Sequence, residues 1–338
     1  HIGRQDSVEA IASMVAQLPS LLAAWSASGL KSQHVSRLLT AISDAVVIRL
    51  LQLAEQQYGA APGPFCWLGF GSQGRREQLL GADQDNGMII DDSVPMSQRG
   101  WYQDVAAFVC DGLALVGYRY CPGGIMAKNA DWRMSLRQWQ QAVVNWTRMP
   151  TEDAVMRVTI FFDIRAVYGD KSLADKLQQT MLNEARSNTI FIAALASNAL
   201  GATPPLGIFR RFVVEHDGEH KESVNIKKRG ILPITDIARL HALANGLPQV
   251  NTDERIEALV KAGILQIKQA RNLSDALHTL QQARIDDQCR SIEAGETPDN
   301  YINPRALGTM GKEQLRDAFT IIKEAQGAIK LRYRSGLD

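Results

Sequence analysis

Two short apolar runs fix what the middle of this chain can become. Phe65-Cys66-Trp67-Leu68-Gly69-Phe70 and Gly87-Met88-Ile89-Ile90-Asp91 each read as a buried strand. Between them come Gly71-Ser72-Gln73-Gly74-Arg75-Arg76-Glu77-Gln78 and then Gly81-Ala82-Asp83-Gln84-Asp85-Asn86. Glycines, a hydroxyl, two guanidinium groups and three carboxylates therefore sit between the two strands.

Two chemistries compete for this segment. Gly69-x-Gly71-x-x-Gly74 after a strand, with Asp91 and Asp92 roughly twenty residues on, matches the dinucleotide fingerprint, in which glycines admit a pyrophosphate and an acid holds a ribose. That fingerprint needs a full helix after its last glycine, and about thirty residues for the whole unit. Gly81-Ala82-Asp83 breaks the chain well before that length, and the pair Asp83/Asp85 is left without a task. The other reading starts from Gly71-Ser72 and Asp83-Gln84-Asp85. Residues i and i+2 of an extended chain share a face, so both carboxylates reach one divalent-metal site, where hard Mg²⁺ takes oxygen ligands and phosphate oxygens. Gly71 and Ser72 offer N–H groups and a hydroxyl to a triphosphate, and Arg75 and Arg76 neutralise further phosphate charge. Two carboxylates beside a phosphate cradle suit metal-assisted nucleotidyl transfer. The bland alternative is a tight turn whose Arg75, Arg76 and Glu77 are merely solvated.

The rest of the chain supplies a frame. With 338 residues, it is long enough for two or three domains. Lys and Arg number 37 against 36 Asp and Glu, a net charge of +1 that argues against a general nucleic-acid binder. No uninterrupted apolar run approaches the roughly 18–20 residues that span a bilayer, and nothing near the N-terminus reads as a signal peptide. Cys66, Cys110, Cys121 and Cys289 are scattered, which fits reduced, buried thiols in a cytoplasmic protein. A chain opening on His1 is expected to be a fragment, with domains upstream.

Residues 7–58 read as helices, with Val35, Leu38, Ile42, Val46, Leu50 and Leu53 on one face. Ala60-Ala61-Pro62-Gly63-Pro64 marks a boundary. Residues 98–115 suit a helix, and Gly117 to Cys121 a third strand. Trp132, Leu136, Trp139, Val143 and Trp146 form a helical stripe that reads as core. Thr151 caps a further helix, expected to run through Phe161-Phe162-Asp163-Ile164-Arg165 and stop near Gly169. Beyond Thr203-Pro204-Pro205 the chain reads as helices, with one possible strand at Phe212 to Glu215. Leu273, Leu277 and Leu280 form one seam, and Leu315, Phe319, Ile322, Ala325 and Ile329 another.

At Phe70-Gly71-Ser72 and Asp83-Gln84-Asp85 the chain resembles the nucleotidyltransferase superfamily that includes DNA polymerase beta, kanamycin nucleotidyltransferase and the nitrogen-regulatory uridylyl- and adenylyltransferases. It is closer to bacterial signal-transduction nucleotidyltransferases found downstream of cyclic-nucleotide-binding and CBS domains. Those residues continue as Gly74-Arg75-Arg76-Glu77-Gln78 and Asn86-Gly87-Met88-Ile89. The resemblance extends to Cys121-Pro122-Gly123-Gly124-Ile125-Met126-Ala127, Trp132-Arg133, Phe162-Asp163-Ile164-Arg165 and Gly169-Asp170. It then takes in Lys227-Lys228-x-Gly230 and Pro298-Asp299-Asn300-Tyr301-Ile302-Asn303-Pro304.

The resemblance implies an α+β fold: a polymerase-beta-like core with a mixed sheet, N-terminal helices over 1–60, the nucleotidyltransferase domain over 61–187, and an all-helical acceptor-binding domain over 188–338. It implies that Asp83 and Asp85 bind Mg²⁺ and are catalytic, that Gly71 and Ser72 hold the phosphates of an NTP (ATP or UTP), and that Arg75 contacts phosphate. Glu77 is expected to orient Arg75, and Asn86 to face the other way as a structural residue. A nucleoside monophosphate would pass to an acceptor hydroxyl, a protein hydroxyl being one candidate, in signal transduction. Many superfamily members add a third carboxylate; here Gly117-Tyr118-Arg119-Tyr120-Cys121-Pro122 has glycine where that acid would fall, leaving Asp131 or Asp163 as substitutes. A regulatory module that binds nucleotide without turnover is therefore the alternative. His216-x-x-x-His220 reads as a solvated loop rather than a metal site, and Lys221, Lys227, Lys228 and Arg229 as a solvated basic face.

Overall fold

A computed structural model describes residues 1–207 and 210–333, with side chains at all of these except 152 and 153. The chain divides into two compact units, residues 1–28 with 33–184 and residues 29–32 with 185–338.

In the first unit, α1 (Val8–Val15), α2 (Leu18–Ala27) and α3 (Ser32–Tyr58) precede β1 (Phe65–Gly69), and both β1 and β3 (Asn86–Ile90) are buried along their whole length. A short helix α4 (Gly71–Gly74) and a two-residue strand β2 (Asp83–Gln84) lie between them. Then follow α5 (Gly100–Val116), β4 (Arg119–Tyr120), β5 (Arg133–Ser135), α6 (Leu136–Arg148), α7 (Glu152–Phe161), β6 (Arg165–Gly169) and α8 (Lys171–Ser187). The main sheet has the order β5-β3-β1-β6. β3 and β6 both run antiparallel to β1, and β5 runs parallel to β3, so the sheet is mixed as expected.

Two elements differ from the sequence reading. The helix capped by Thr151, whose hydroxyl accepts from the Ala154 N–H at 3.2 Å, ends at Phe161, and residues 165–169 form a strand of the main sheet instead of helix. The strand read at residues 117–121 shortens to β4 and pairs only with β2, in a separate two-stranded sheet; the parallel neighbour of β3 is β5. On α3, Leu38 faces solvent while Leu39 is buried, so the packed stripe is displaced by one residue near the helix start.

The tryptophan stripe is core. Trp139 stacks on Phe161, with centroids 5.0 Å apart, and donates its indole N–H to the Met88 carbonyl at 3.0 Å. Phe70 lies edge-on to both rings, so the residue that opens the glycine turn is anchored in this aromatic cluster. Among the described residues, Val8–Ala27 is the one helical stretch long and apolar enough to cross a membrane, with a mean hydropathy of 1.4. A reading that looks for an unbroken apolar run misses it, because Ser and Gln interrupt the sequence. The stretch bends at Ala16-Gln17 into α1 and α2, and α1 buries Ile11 and Val15 while packing on α5.

Among its described residues the second unit is mainly helical, with one short β-pair: α9 (Thr189–Gly201), α10 (Leu232–Ala244), α11 (Thr252–Lys261), α12 (Ile267–Glu293) and α13 (Thr309–Tyr333). The two leucine-rich seams are buried as expected, on α12 and α13, which pack on each other. Phe212 makes only an isolated bridge to Leu206; the strands here are β7 (Val224–Asn225) and β8 (Tyr301–Ile302), paired antiparallel.

Candidate active site

The site grows from the end of β1. Gly69 is paired with Asn86 of β3, and the next N–H, of Phe70, donates to the Asp85 carbonyl at 2.9 Å. The chain then turns sharply: Gly71 has φ +52, a left-handed conformation that glycine adopts without a Cβ clash. A Cβ placed on Gly71 would stand 3.3 Å from Asp85 Oδ2. The turn and the second aspartate are thus in contact, and the missing side chain makes room for the carboxylate.

Alternation along residues 83–86 sorts the polar side chains. Gln84 and Asn86 are buried and bond each other, Asn86 Nδ2 donating to Gln84 Oε1 at 3.4 Å. The Gln84 amide donates to the Cys110 carbonyl at 3.0 Å, and Asn86 Oδ1 accepts from the Ala127 N–H at 2.8 Å. Asn86 is therefore structural, as expected. With period two, Asp83 and Asp85 are left to the opposite face, and both are half-buried. Asp83 Oδ1 meets Arg119 Nε at 3.1 Å, and Asp85 lies beside the Cys121 thiol. Burial, followed by the Asp85 charge, pushes the Cys121 thiol up to about 12.

Most of the glycine-rich segment turns out to be scaffolding. Gly74 is required by packing, since a Cβ there would lie 1.8 Å from the Asp163 carbonyl oxygen. The Gln73 amide donates to Asp44 Oδ1 at 3.1 Å, and the Gln78 N–H to Thr40 Oγ1 at 3.3 Å, so α3 braces the turn. Arg75, expected at phosphate, is instead buried between two carboxylates: its Nε donates to Glu77 Oε2 at 2.8 Å and its Nη1 to Asp163 Oδ2 at 2.5 Å. A guanidinium held on both sides inside the protein is not presented to a ligand. Glu77 does orient Arg75. Asp163 pairs with Arg75, while Arg165 caps the carbonyls of Gln73 and Gly74 at 3.0 and 3.3 Å and bonds Asp44. Ser72 is half-buried and Arg76 is exposed, with φ +59. The sequence reading missed the bracing role of Asp44 and Arg165. The Phe162-Asp163-Ile164-Arg165 motif was the available signal, hidden by its assignment to a helix.

The donor set fits a hard divalent cation. Two carboxylates on one face, beside a turn whose first-turn N–H groups lack intrahelical acceptors, supply oxygen ligands and leave other positions to phosphate and water, the usual manner of holding Mg²⁺. Among the described side chains no third acid joins them: Asp163 is spent on Arg75, Asp131 is exposed in the turn before β5, and β5 itself carries Arg133, Met134 and Ser135. Among the described residues no group of three or more His, Cys, Asp or Glu side chains is placed to hold a metal. The His216/His220 pair is no exception, as His220 stacks on Tyr301, 3.6 Å between centroids, and faces Asp299.

Two family models match the chain. Residues 16–153 match the family described as "Putative nucleotidyltransferase DUF294", and residues 189–333 the one described as "Putative nucleotidyltransferase substrate binding domain". No curated protein matches it.

Proposed function

The chain belongs to this nucleotidyltransferase family, and from that we propose that it transfers a nucleoside monophosphate from an NTP, ATP or UTP, to an acceptor hydroxyl, releasing pyrophosphate. The observation that carries the reading is the contact between Asp85 and the left-handed Gly71 turn, with Asp83 on the same face. In this reading Asp83 and Asp85 hold Mg²⁺, which supplies charge neutralisation at the phosphates and lowers the pKa of the incoming hydroxyl. Gly71 and Ser72 orient the polyphosphate through N–H groups and a hydroxyl. Gln84 and Asn86, locked to the opposite side, keep both carboxylates on one face of the segment.

The acceptor is proposed to bind the second unit, in keeping with the description of the family that matches it, and a protein hydroxyl in a signalling pathway in the cytoplasm is the acceptor the resemblance favours. The test is Mg²⁺-dependent pyrophosphate release from ATP or UTP with candidate protein acceptors. Turnover that survives the double substitution D83N/D85N, or that is indifferent to chelation of the metal, sinks the assignment.

One observation favours a second reading. Among the described side chains no third acid stands beside the pair, and none of them provides the base that superfamily members draw from that position. A regulatory module would bind Mg²⁺·NTP, lose that binding in D83N/D85N, and release no pyrophosphate with any acceptor.

A further inference from the structure

β4 runs parallel to β2 and sets Arg119 directly opposite Asp83, with Tyr120 opposite Gln84. Arg119 Nε lies 3.1 Å from Asp83 Oδ1, and its Nη2 donates to the Gly81 carbonyl at 2.9 Å. Two residues further along the same segment, the Cys121 thiol lies beside Asp85. One short piece of chain therefore faces both aspartates, the first with a cation and the second with a thiol. The first contact is imposed by strand register, and its guanidinium is tied at a second point.

We infer that Arg119 is the resident counter-cation of Asp83, which withholds that carboxylate from a divalent cation until the cation displaces the guanidinium. The inference rests on the reading of Asp83 as a metal ligand. Two carboxylates sharing one face repel each other unless a cation lies between or beside them. Arg119 supplies that charge before a metal arrives. A carboxylate oxygen already accepting from a guanidinium offers the metal fewer lone pairs and a neutralised charge, so each binding event must break the pair. The Arg119 side chain is 69% exposed, and exposed pairs of this kind are weak. The guanidinium is therefore readily displaced, and the competition amounts to a few-fold.

A structural role and a counter-cation role predict opposite signs. If Arg119 merely pins the Gly81 turn, its removal disorders Asp83 and weakens metal binding. The experiment is titration of the full chain with Mn²⁺ alone, free Mn²⁺ being read from its electron paramagnetic resonance signal, for wild type, R119Q, R119K and D83N, with circular dichroism confirming the fold of each. R119Q is expected to bind Mn²⁺ about two- to fivefold more tightly than wild type, R119K to stay near wild type, and the gain in R119Q to shrink with added salt. Equal or weaker binding by R119Q, with D83N losing the ion, overturns the inference while leaving Asp83 a ligand. D83N that binds Mn²⁺ like wild type, or no binding by wild type and R119Q at millimolar metal, overturns both.

Discussion

At the scale of single residues, the segment Gly71–Gln78 divides between side chains that build the turn and side chains left at its surface. Arg75 belongs to the first group. Removing one partner of a buried, doubly bonded ion pair costs about 3–5 kcal/mol, so Arg75→Ala is expected to lower the urea midpoint strongly through a loss of fold. An Arg75→Ala protein with a wild-type midpoint and weakened nucleotide binding would restore Arg75 to the phosphate. Arg76 belongs to the second group. A non-glycine residue at φ +59 carries strain of about 1 kcal/mol, and such strain is retained chiefly where a side chain has a task. Arg76→Gly is therefore expected to raise the midpoint slightly while weakening Mg²⁺·NTP binding; a gain in stability with unchanged binding would leave Arg76 as solvated charge. The residue types of this site were legible in sequence because glycine, aspartate and their spacing carry the geometry. The assignment of Arg75 was not, since Arg75 and Arg76 are adjacent and only the position of Asp163, distant in sequence, decides which of them turns inward.

At the scale of elements, the strands that sequence revealed are the long buried ones. β1 and β3 stand out as apolar runs because both faces are covered, whereas β2, β4, β7 and β8 have two residues each and no periodicity to read. β6 was hidden for another reason. Its half-buried Arg-Ala-Val-Tyr-Gly follows a helical run without a break in composition, and pairing with β1, a tertiary contact, sets its conformation. The Gln84/Asn86 pair shows how elements aim the site. Asn86→Ala would leave the buried Ala127 N–H without its acceptor, a cost of about 1–3 kcal/mol. The expected outcome is faster amide exchange at Ala127, together with weaker Mn²⁺ binding although both aspartates remain. Unchanged exchange at Ala127 would mean that other contacts fix this loop and that Asn86 does not aim the carboxylates.

At the scale of the whole molecule, the tryptophans of the chain, Trp25, Trp67, Trp101, Trp132, Trp139 and Trp146, all lie in the first unit, so their fluorescence follows that unit while far-UV circular dichroism follows both. The second unit carries its own titration signature in His241 on α10. This imidazole is buried, its Nδ1 is 2.7 Å from the Tyr333 hydroxyl of α13, and burial, aided by the Arg332 cation, lowers its pKa from 6.5 to about 4. The native state thus resists a proton that the unfolded chain accepts. Above pH 6.5 His241 is neutral in both states and exacts nothing. As pH falls from 6.5 towards 4 the unfolded state alone is protonated, and each unit costs about 1.4 kcal/mol of stability until the folded pKa is reached. His241→Gln, neutral throughout, removes that dependence. The two proteins should therefore differ by a constant amount above pH 6.5, with the variant gaining on wild type below it in the dichroism-detected transition. Dichroism curves that stay parallel down to pH 4 would mean that His241 takes up its proton in the folded state as readily as in the unfolded one.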